Sequence, residues 1–295
     1  MRLVTLDIGG TEIKSALFSG DQVIARRDAP SHGADHATAL IEAAAELIGS
    51  YEGFEGVGIA CTGQVDSEKG VVTYANDNVP ELTGMPIGAL LEDRFHVPVT
   101  VDNDANAAAL GEGAYGAARG CSDFLCLTYG TGVGGGIVIG GRIYNGRNGS
   151  AGELGHIIVH AGGRRCACGL TGCYESYAST TALVRAAQAL YPEIENGRQL
   201  FAQLDALSGL RATLDEWIEE VSYGLISLTH AFNPALLVLG GGVMAQPYVL
   251  EKLKTVYERG VMPSFLPVEL KQAALGNLAG AYGALAHIQS RLREA

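Results

Sequence analysis

Leu3-Val4-Thr5-Leu6-Asp7-Ile8-Gly9-Gly10-Thr11-Glu12-Ile13-Lys14-Ser15-Ala16-Leu17-Phe18 is an apolar run, an acid, a double glycine with a hydroxyl, and a second apolar run. Leu3 to Leu6 reads as a buried strand, Gly9-Gly10-Thr11 as a tight turn, and Ile13 to Phe18 as a returning strand. Gly20-Asp21 then turns the chain into Gln22 to Arg26. About half a chain later the same order recurs: Phe124 to Thr128, Gly130-Thr131-Gly132, Gly135 to Ile139, Gly140-Gly141 and Arg142 to Tyr144. A strand, a Gly/Thr turn, a strand, a Gly turn and a strand occur twice, which predicts an internal duplication.

Between the copies, the pattern predicts a helix over Ala37 to Ser50, a strand over Gly56 to Ala60, a strand near Pro98 to Val101 and a helix through Ala105 to Glu112. After the second copy come a Cys-rich loop, helices near Thr180 to Ala189 and Leu214 to Ala231, a strand over Ala235 to Leu239, and a closing helix near Leu278 to Leu292. Strands alternating with helices predict an α/β protein. No low-complexity linker interrupts the 295 residues, so any two lobes are expected to be closely joined.

Hydrophobic residues make up 47% of the chain and charged residues 18%, enough for a full core and too apolar for wholesale disorder. With 20 Lys and Arg against 32 Asp and Glu, the net charge of -12 disfavours nucleic acid as a main partner. The charge-free stretches Phe124 to Gly141 and Ala231 to Leu250 are broken by glycines, and the second by prolines, so neither reads as a membrane helix. The N-terminal stretch reaches Asp7 and Gly9-Gly10 too soon for a secretory signal. The expectation is a soluble, cytoplasmic protein that binds no membrane.

The 41 glycines cluster at Gly9-Gly10, Gly130 to Gly136, Gly140-Gly141 and Gly240-Gly241-Gly242, each after a strand-like run. Such turns let backbone N–H groups approach phosphate oxygens. Asp7 at a strand end beside the first turn suits Mg²⁺, held directly or through water. There is no Gly-x4-Gly-Lys-Ser/Thr signature, which excludes a P-loop protein.

Asp102-Asn103-Asp104-Ala105-Asn106 follows a strand and opens a helix. A helix N-cap needs one Asp or Asn, and this segment offers four such residues in five positions. A carboxylate there is placed to take the proton of a substrate hydroxyl. Asp104 is the candidate base and Asn103 a positioning residue; spacing does not exclude Asp102.

Cys166-Ala167-Cys168-Gly169-Leu170-Thr171-Gly172-Cys173 places three of the six cysteines within eight residues. His156, ten residues earlier, completes a Cys₃His set for a closed structural Zn²⁺ site. A disulfide is disfavoured in a reducing cytoplasm, and a redox dithiol would read Cys-x-x-Cys. In Gly152-Glu153-Leu154-Gly155-His156 the acid and imidazole are three apart and share a face if the turn is helical. Glu175, just past Cys173, is drawn toward Glu153 by the same metal loop, and two such carboxylates suit a polyhydroxylated ligand.

Together these segments resemble the ROK family (repressor, open reading frame, kinase) over essentially the whole chain. The resemblance rests on Asp7 to Thr11, Asn103-Asp104-Ala105-Asn106, Gly130 to Gly136, Gly152 to His156, Cys166 to Cys173 with Glu175, and Gly240-Gly241-Gly242-Val243. It implies an actin-like ATPase fold, a duplicated ribonuclease-H-like unit with two lobes around a cleft. It also implies ATP-dependent phosphorylation of a hexose at the 6-hydroxyl. On that resemblance Asp104, rather than Asp102, is the catalytic base, and Asn103, Glu153, His156 and Glu175 bind the sugar. His156, Cys166, Cys168 and Cys173 hold Zn²⁺. Gly9, Gly10, Thr11, Gly130, Thr131 and Gly132 face the phosphates, Gly240, Gly241 and Gly242 the adenosine, and Asp7 approaches Mg²⁺.

Three positions depart from the family pattern. Glu12 stands where Lys is common after Gly-Gly-Thr, Thr62-Gly63-Gln64-Val65-Asp66 replaces Pro-Gly-x-Val-Asp, and the stretch Tyr74 to Pro80 is atypical. Gly63, Asn76 and Asn78 are candidate sugar contacts. Glucose is the expected hexose, with N-acetylmannosamine, N-acetylglucosamine, mannose and fructose as alternatives. The expected lobes are residues 1–113, with the C-terminal helix 277–295 packed on them, and residues 114–276, carrying the zinc loop and the interface of a homodimer or dimer of dimers. A sugar-responsive regulator would carry a helix-turn-helix ahead of the kinase-like part, and the first glycine turn at Gly9 leaves no room for one. A nucleotide-binding scaffold would need neither the acidic cluster nor the zinc loop.

Overall fold

The turns at Gly9-Gly10 and Gly140-Gly141 each reverse the chain into an antiparallel strand. The computed structural model describes residues 1–32, 36–75, 79 and 81–294. Its first half runs β1 (Arg2–Ile8), β2 (Glu12–Ser19), β3 (Gln22–Pro30), α1 (Ala37–Gly49), β4 (Val57–Cys61), β5 (Gln64–Asp66), β6 (Val71–Tyr74), α2 (Ile87–Phe95), β7 (Val99–Asn103) and α3 (Asp104–Tyr115). The second half begins with β8 (Phe124–Tyr129), β9 (Val133–Ile139) and β10 (Arg142–Ile143), then α4 (Glu175–Ala178), α5 (Thr180–Gln188), α6 (Gly197–Gln203) and α7 (Leu210–Phe232). It closes with β11 (Leu236–Gly240), α8 (Pro247–Gly260), β12 (Glu269–Gln272) and α9 (Ala279–Glu294).

The duplication expected from the sequence is visible in the strand orders, β3-β2-β1-β4-β7 and β10-β9-β8-β11-β12. In both sheets a meander is extended by two parallel strands: β1 pairs with β4 and β4 with β7, as β8 pairs with β11 and β11 with β12. Parallel partners need crossover connections, and helices supply them.

The chain divides into two compact units, Met1–Ser122 with Gly136–Gly152 and Asn277–Ala295, and Asp123–Gly135 with Glu153–Gly276. The division passes through β9. The sequence reading set its boundary after residue 113, whereas 114–122 and 136–152 fall in the first unit. Packing accounts for 136–152: a side chain at Gly136 would meet Ala109 Cβ of α3 at 2.6 Å. Asn145 Nδ2 donates to Ser67 Oγ at 3.0 Å, and Ser150 Oγ to Gln64 Oε1 at 2.7 Å.

In the first unit β4 is buried along its whole length, as expected of a central parallel strand. Leu6, Ile8, Ile59 and Val101 form one core with Leu40, Ile41 and Ile48 of α1, whose apolar residues recur at helical spacing. On the other face Leu285 and Ile288 of α9 pack on Leu3, Ala16 and Phe18. Gly58 of β4 and Gly283 of α9 are contact points, since a Cβ would strike the backbone of Ala284 and Ala107 respectively. The C-terminal helix thereby lies against β4 and α3.

In the second unit Leu214, Trp217, Ile218, Val221 and Leu225 of α7 are buried, and β11 is buried throughout. Trp217 Nε1 donates to Ser179 O at 3.1 Å, satisfying the one polar atom of that ring. Among the described residues no helix is long and apolar enough to cross a membrane.

Candidate active site

In the first unit Ile8, Cys61 and Asn103 stand in one row across β1, β4 and β7. Parallel strands that end level present their following loops along one edge, where ligands of α/β proteins bind. Asp7, Gly63 and Asp104 therefore emerge from the same edge. Burial, together with the charges of Asp104 and Asp7, pushes the buried Cys61 thiol up to about 12.

Asp104 opens α3 and Asn103 caps it. Asn103 Oδ1 accepts from Ala105 N at 2.9 Å and Asn106 N at 3.1 Å, while its Nδ2 donates to Asp104 Oδ1 at 3.0 Å and Gly63 O at 2.8 Å. Asn103 thus meets the helix, Asp104 and the Gly63 loop at once. Asp104 is exposed. Asp102 is 3% exposed, its Oδ1 accepting from Asn103 N at 2.7 Å and Asn106 Nδ2 at 3.1 Å. Burial raises its pKa, and the Asn106 and Asn103 N–H donors and nearby His287 only partly offset that. A substrate hydroxyl can reach Asp104 and cannot reach Asp102, so burial separates two acids that spacing leaves equivalent.

Asp7 is half-buried, and burial raises its pKa against the opposing charge of Lys14. A Cβ at Gly280, in the first turn of α9, would lie 2.9 Å from Asp7 Oδ2. Position 12 carries the acid noted in the sequence, and the cross-strand register sets Lys14 opposite Asp7, its Nζ 3.8 Å from Glu12 Oε2. A cation therefore enters this neighbourhood two residues later on the same strand face. In the first turn Gly9 N donates to Glu12 O at 3.0 Å, while Ser31 Oγ donates to Gly10 O at 2.7 Å and Ser31 N to Thr11 O at 3.0 Å. Gly63 has φ +92°, and a Cβ there would meet Tyr74 O at 2.7 Å. Asn76 and Asn78 lie outside the described residues.

In the second unit the other two glycine turns meet. Gly240 pairs with Thr128. Gly241, at φ +102°, has no room for a side chain against Tyr129 O. Beside them opens a cavity of about 770 Å³ lined by Gly130, Thr131, Gly242, Arg185, Asn196 and Arg198, among others. Its size suits a nucleotide. Arg185, Asn196 and Arg198 were missed by sequence reasoning, because α5 and α6 carry no glycine or acid cluster that marks them.

The expected Glu153–His156 turn is a 3₁₀ turn over Leu154–His156. His156 Nε2 lies 3.8 Å from Glu153 Oε2, and Nδ1 lies 3.9 Å from Glu175 Oε1. Nδ1 also faces the cysteines, 3.7 Å from Cys166 Sγ, and the Cys168 and Cys173 sulfurs are 3.6 Å apart. All four donor atoms of His156, Cys166, Cys168 and Cys173 lie within 4.8 Å of one another. Around a tetrahedral Zn²⁺ with bonds of about 2.0–2.3 Å, donors stand about 3.5–3.8 Å apart, so the set fits that ion. Burial pushes the Cys166 thiol up to about 12 and raises the Cys173 thiol too, so a bound cation would favour the ionised form of both.

The ROK family model matches residues 3–291. The chain belongs to the ROK family. This ROK protein is 33% identical to a glucokinase of Halalkalibacterium halodurans, over 95% of this chain and 92% of that one. The crystal structure of a ROK family glucokinase from Streptomyces griseus in complex with glucose and AMPPNP superposes with a TM-score of 0.84 at 31% identity, covering 98% and 99% of the two chains. A proposed N-acetylmannosamine kinase of Listeria monocytogenes superposes with a TM-score of 0.88 at 26% identity, covering 99% of each. This member of the ROK family thus has the actin-like ATPase fold and is an ATP-dependent sugar kinase.

Proposed function

We propose that this kinase transfers the γ-phosphoryl group of Mg·ATP to the 6-hydroxyl of a hexose, with glucose as its preferred sugar. The observation that carries the reading is Asp104, an exposed carboxylate fixed at the start of α3 by Asn103 and Ala105 N. Similarity to the glucokinases supports the choice of sugar.

Asp104 accepts the proton of the 6-hydroxyl as its oxygen attacks phosphorus, and the bond from phosphorus to the β-phosphate bridging oxygen breaks to release ADP. Mg²⁺, when bound with ATP, neutralises charge on the phosphates. Asp7 approaches that ion, and the amides of Gly9, Gly10, Thr11, Gly130, Thr131 and Gly132 cradle phosphate oxygens. Gly240, Gly241 and Gly242 border the adenosine, with the cavity beside them receiving it. Glu153, His156 through Nε2, and Glu175 orient ring hydroxyls, with Asn103 and Gly63; Asn76 and Asn78 belong to the same proposal. Cys166, Cys168, Cys173 and His156 Nδ1 would hold a structural Zn²⁺ with no open position, so that ion fixes His156 and Glu175 rather than joining the reaction. We further propose a cytoplasmic homodimer or dimer of dimers.

The structural likeness to the Listeria protein favours a second reading, an N-acetylmannosamine kinase. A panel of glucose, mannose, fructose, N-acetylglucosamine and N-acetylmannosamine, read as sugar-dependent ADP release from Mg·ATP, decides between them. Glucose is expected to give the highest kcat/KM. A higher value for N-acetylmannosamine selects the second reading, and the absence of stimulation by every sugar refutes both.

A further inference from the structure

The glycine turn at Gly130 and the segment that carries Glu175 are fastened together at several points within the second unit. Thr180 N donates to Gly130 O at 3.0 Å, and Thr180 Oγ1 donates to Tyr129 O at 3.1 Å. The Tyr129 and Tyr174 hydroxyls are 2.9 Å apart, both rings are buried, and Tyr174 Oη donates onward to Val221 O at 2.7 Å. Between these fastenings lies Glu175 itself. Its Oε1 is 3.1 Å from Cys166 Sγ and 3.9 Å from His156 Nδ1, whereas its Oε2 accepts from Val133 N at 3.4 Å. A Cβ at Gly132 would lie 2.5 Å from that same Oε2.

One carboxylate therefore abuts the metal loop with one oxygen and the phosphate turn with the other. The link that exists is the Val133 N–H to Oε2, and a methyl at Gly132 would fall about 1 Å inside ordinary carbon–oxygen contact, pushing the carboxylate off that donor. We propose that Glu175, besides binding sugar, is a positioning residue for the Gly130–Gly132 turn, and that Gly132 is kept free of a side chain so that sugar and phosphoryl donor bind cooperatively through this contact.

The sense of the coupling follows from the geometry. A sugar hydroxyl donating to Glu175 fixes the carboxylate, and the fixed Oε2 orders Val133 N and the turn preceding it. Nucleotide phosphates seated on the turn hold Gly132 and Val133, and so the oxygen they touch. Linkage requires each ligand to tighten the other by the same factor. Tyr129, Tyr174 and Thr180 make the surrounding frame rigid, so the adjustable contact is the one between Gly132, Val133 and Glu175.

The inference rests on Glu175 as a sugar ligand, and its test separates the two claims. Calorimetry on the intact protein measures glucose alone, Mg·AMPPNP alone, and each in the presence of the other. Wild-type protein is expected to bind glucose several-fold tighter with Mg·AMPPNP present, and the reverse by the same factor. Gly132→Ala is expected to weaken glucose measured without nucleotide by several-fold, since the added methyl displaces the Glu175 carboxylate from its seat. Glu175→Ala is expected to weaken Mg·AMPPNP measured without sugar by about fivefold, the worth of one net hydrogen bond. In the Glu175→Ala background, Gly132→Ala is expected to add nothing further to the loss of nucleotide affinity, because the oxygen it strikes is gone. That non-additivity distinguishes the contact from general misfolding, which would add. Gly132→Ala changing only nucleotide affinity while Glu175→Ala changes only sugar affinity overturns the coupling and leaves the kinase reading intact. Wild-type protein that binds Mg·AMPPNP but no hexose overturns the sugar role and the coupling together.

Discussion

Replacing Asp104 with Asn is expected to lower kcat by about 10²–10⁴-fold while leaving sugar affinity within a few-fold of wild type. The separation follows from how the residue is held. Its Oδ1 accepts from Asn103 Nδ2 and from Ala105 N, and the helix cap belongs to Asn103 rather than to Asp104. An amide in its place keeps the size, leaves the cap and α3 standing, and removes the proton acceptor. Asp102→Asn is the matched control. That side chain is enclosed by Asn103 N, Asn106 Nδ2 and nearby His287, so its loss is expected to show first in the melting temperature. Steady-state kinetics with direct sugar binding by calorimetry checks both. Wild-type turnover in Asp104→Asn would remove it as the base.

Cys173→Ser is expected to abolish metal binding, and with it much of the stability of the second unit. Protein purified without chelator is expected to carry one equivalent of zinc by elemental analysis, and the variant less than a fifth of that. Cys173 is fully buried, follows the Gly172 turn, and leads within two residues to Glu175. Gly172 itself, at φ +84°, presses on His160 O with no room for a side chain. A loop of this shape has few apolar contacts to hold it, so the ion carries the folding of the segment. Loss of a structural metal ranks among the largest single-site effects, about 4 kcal/mol or more. That corresponds to a melting temperature lower by roughly 8–16 °C. Sugar affinity is expected to fall with it, because His156 and Glu175 lose their seats. Less than half an equivalent of zinc in wild-type protein, or an unchanged melting temperature in Cys173→Ser, contradicts the assignment.

The features legible in the sequence are those that depend on local backbone chemistry. The duplicated meander was readable because strands, glycine turns and their order repeat, and both sheets repeat it. The clustering of His156 with Cys166, Cys168 and Cys173 was readable because three cysteines lie within eight residues. Asp104 was narrowed to a pair by spacing, and burial then separated it from Asp102. The cavity-lining Arg185, Asn196 and Arg198 were not legible, since they reach the cavity from segments whose placement is tertiary. The sequence reading has no counterpart for α2, α8 or β12: Pro86 and Pro247 mark the two helix starts, but what these elements pack against is set by tertiary contacts. The assignment of 136–152 to the first unit was hidden for the same reason, because it depends on Gly136 meeting α3 and on Asn145 and Ser150 reaching the β5–β6 hairpin.

Phosphoryl transfer to the 6-hydroxyl of a hexose forms one sugar phosphomonoester for each ADP released. Phosphorus NMR of the products formed from Mg·ATP and glucose, with 6-deoxyglucose run beside it, tests it most directly. One new phosphomonoester resonance is expected, split by the two protons on carbon 6 and equal in amount to the ADP formed, with no monoester from 6-deoxyglucose. A phosphorylated product from 6-deoxyglucose, or ADP that appears with inorganic phosphate and no sugar ester, would contradict it.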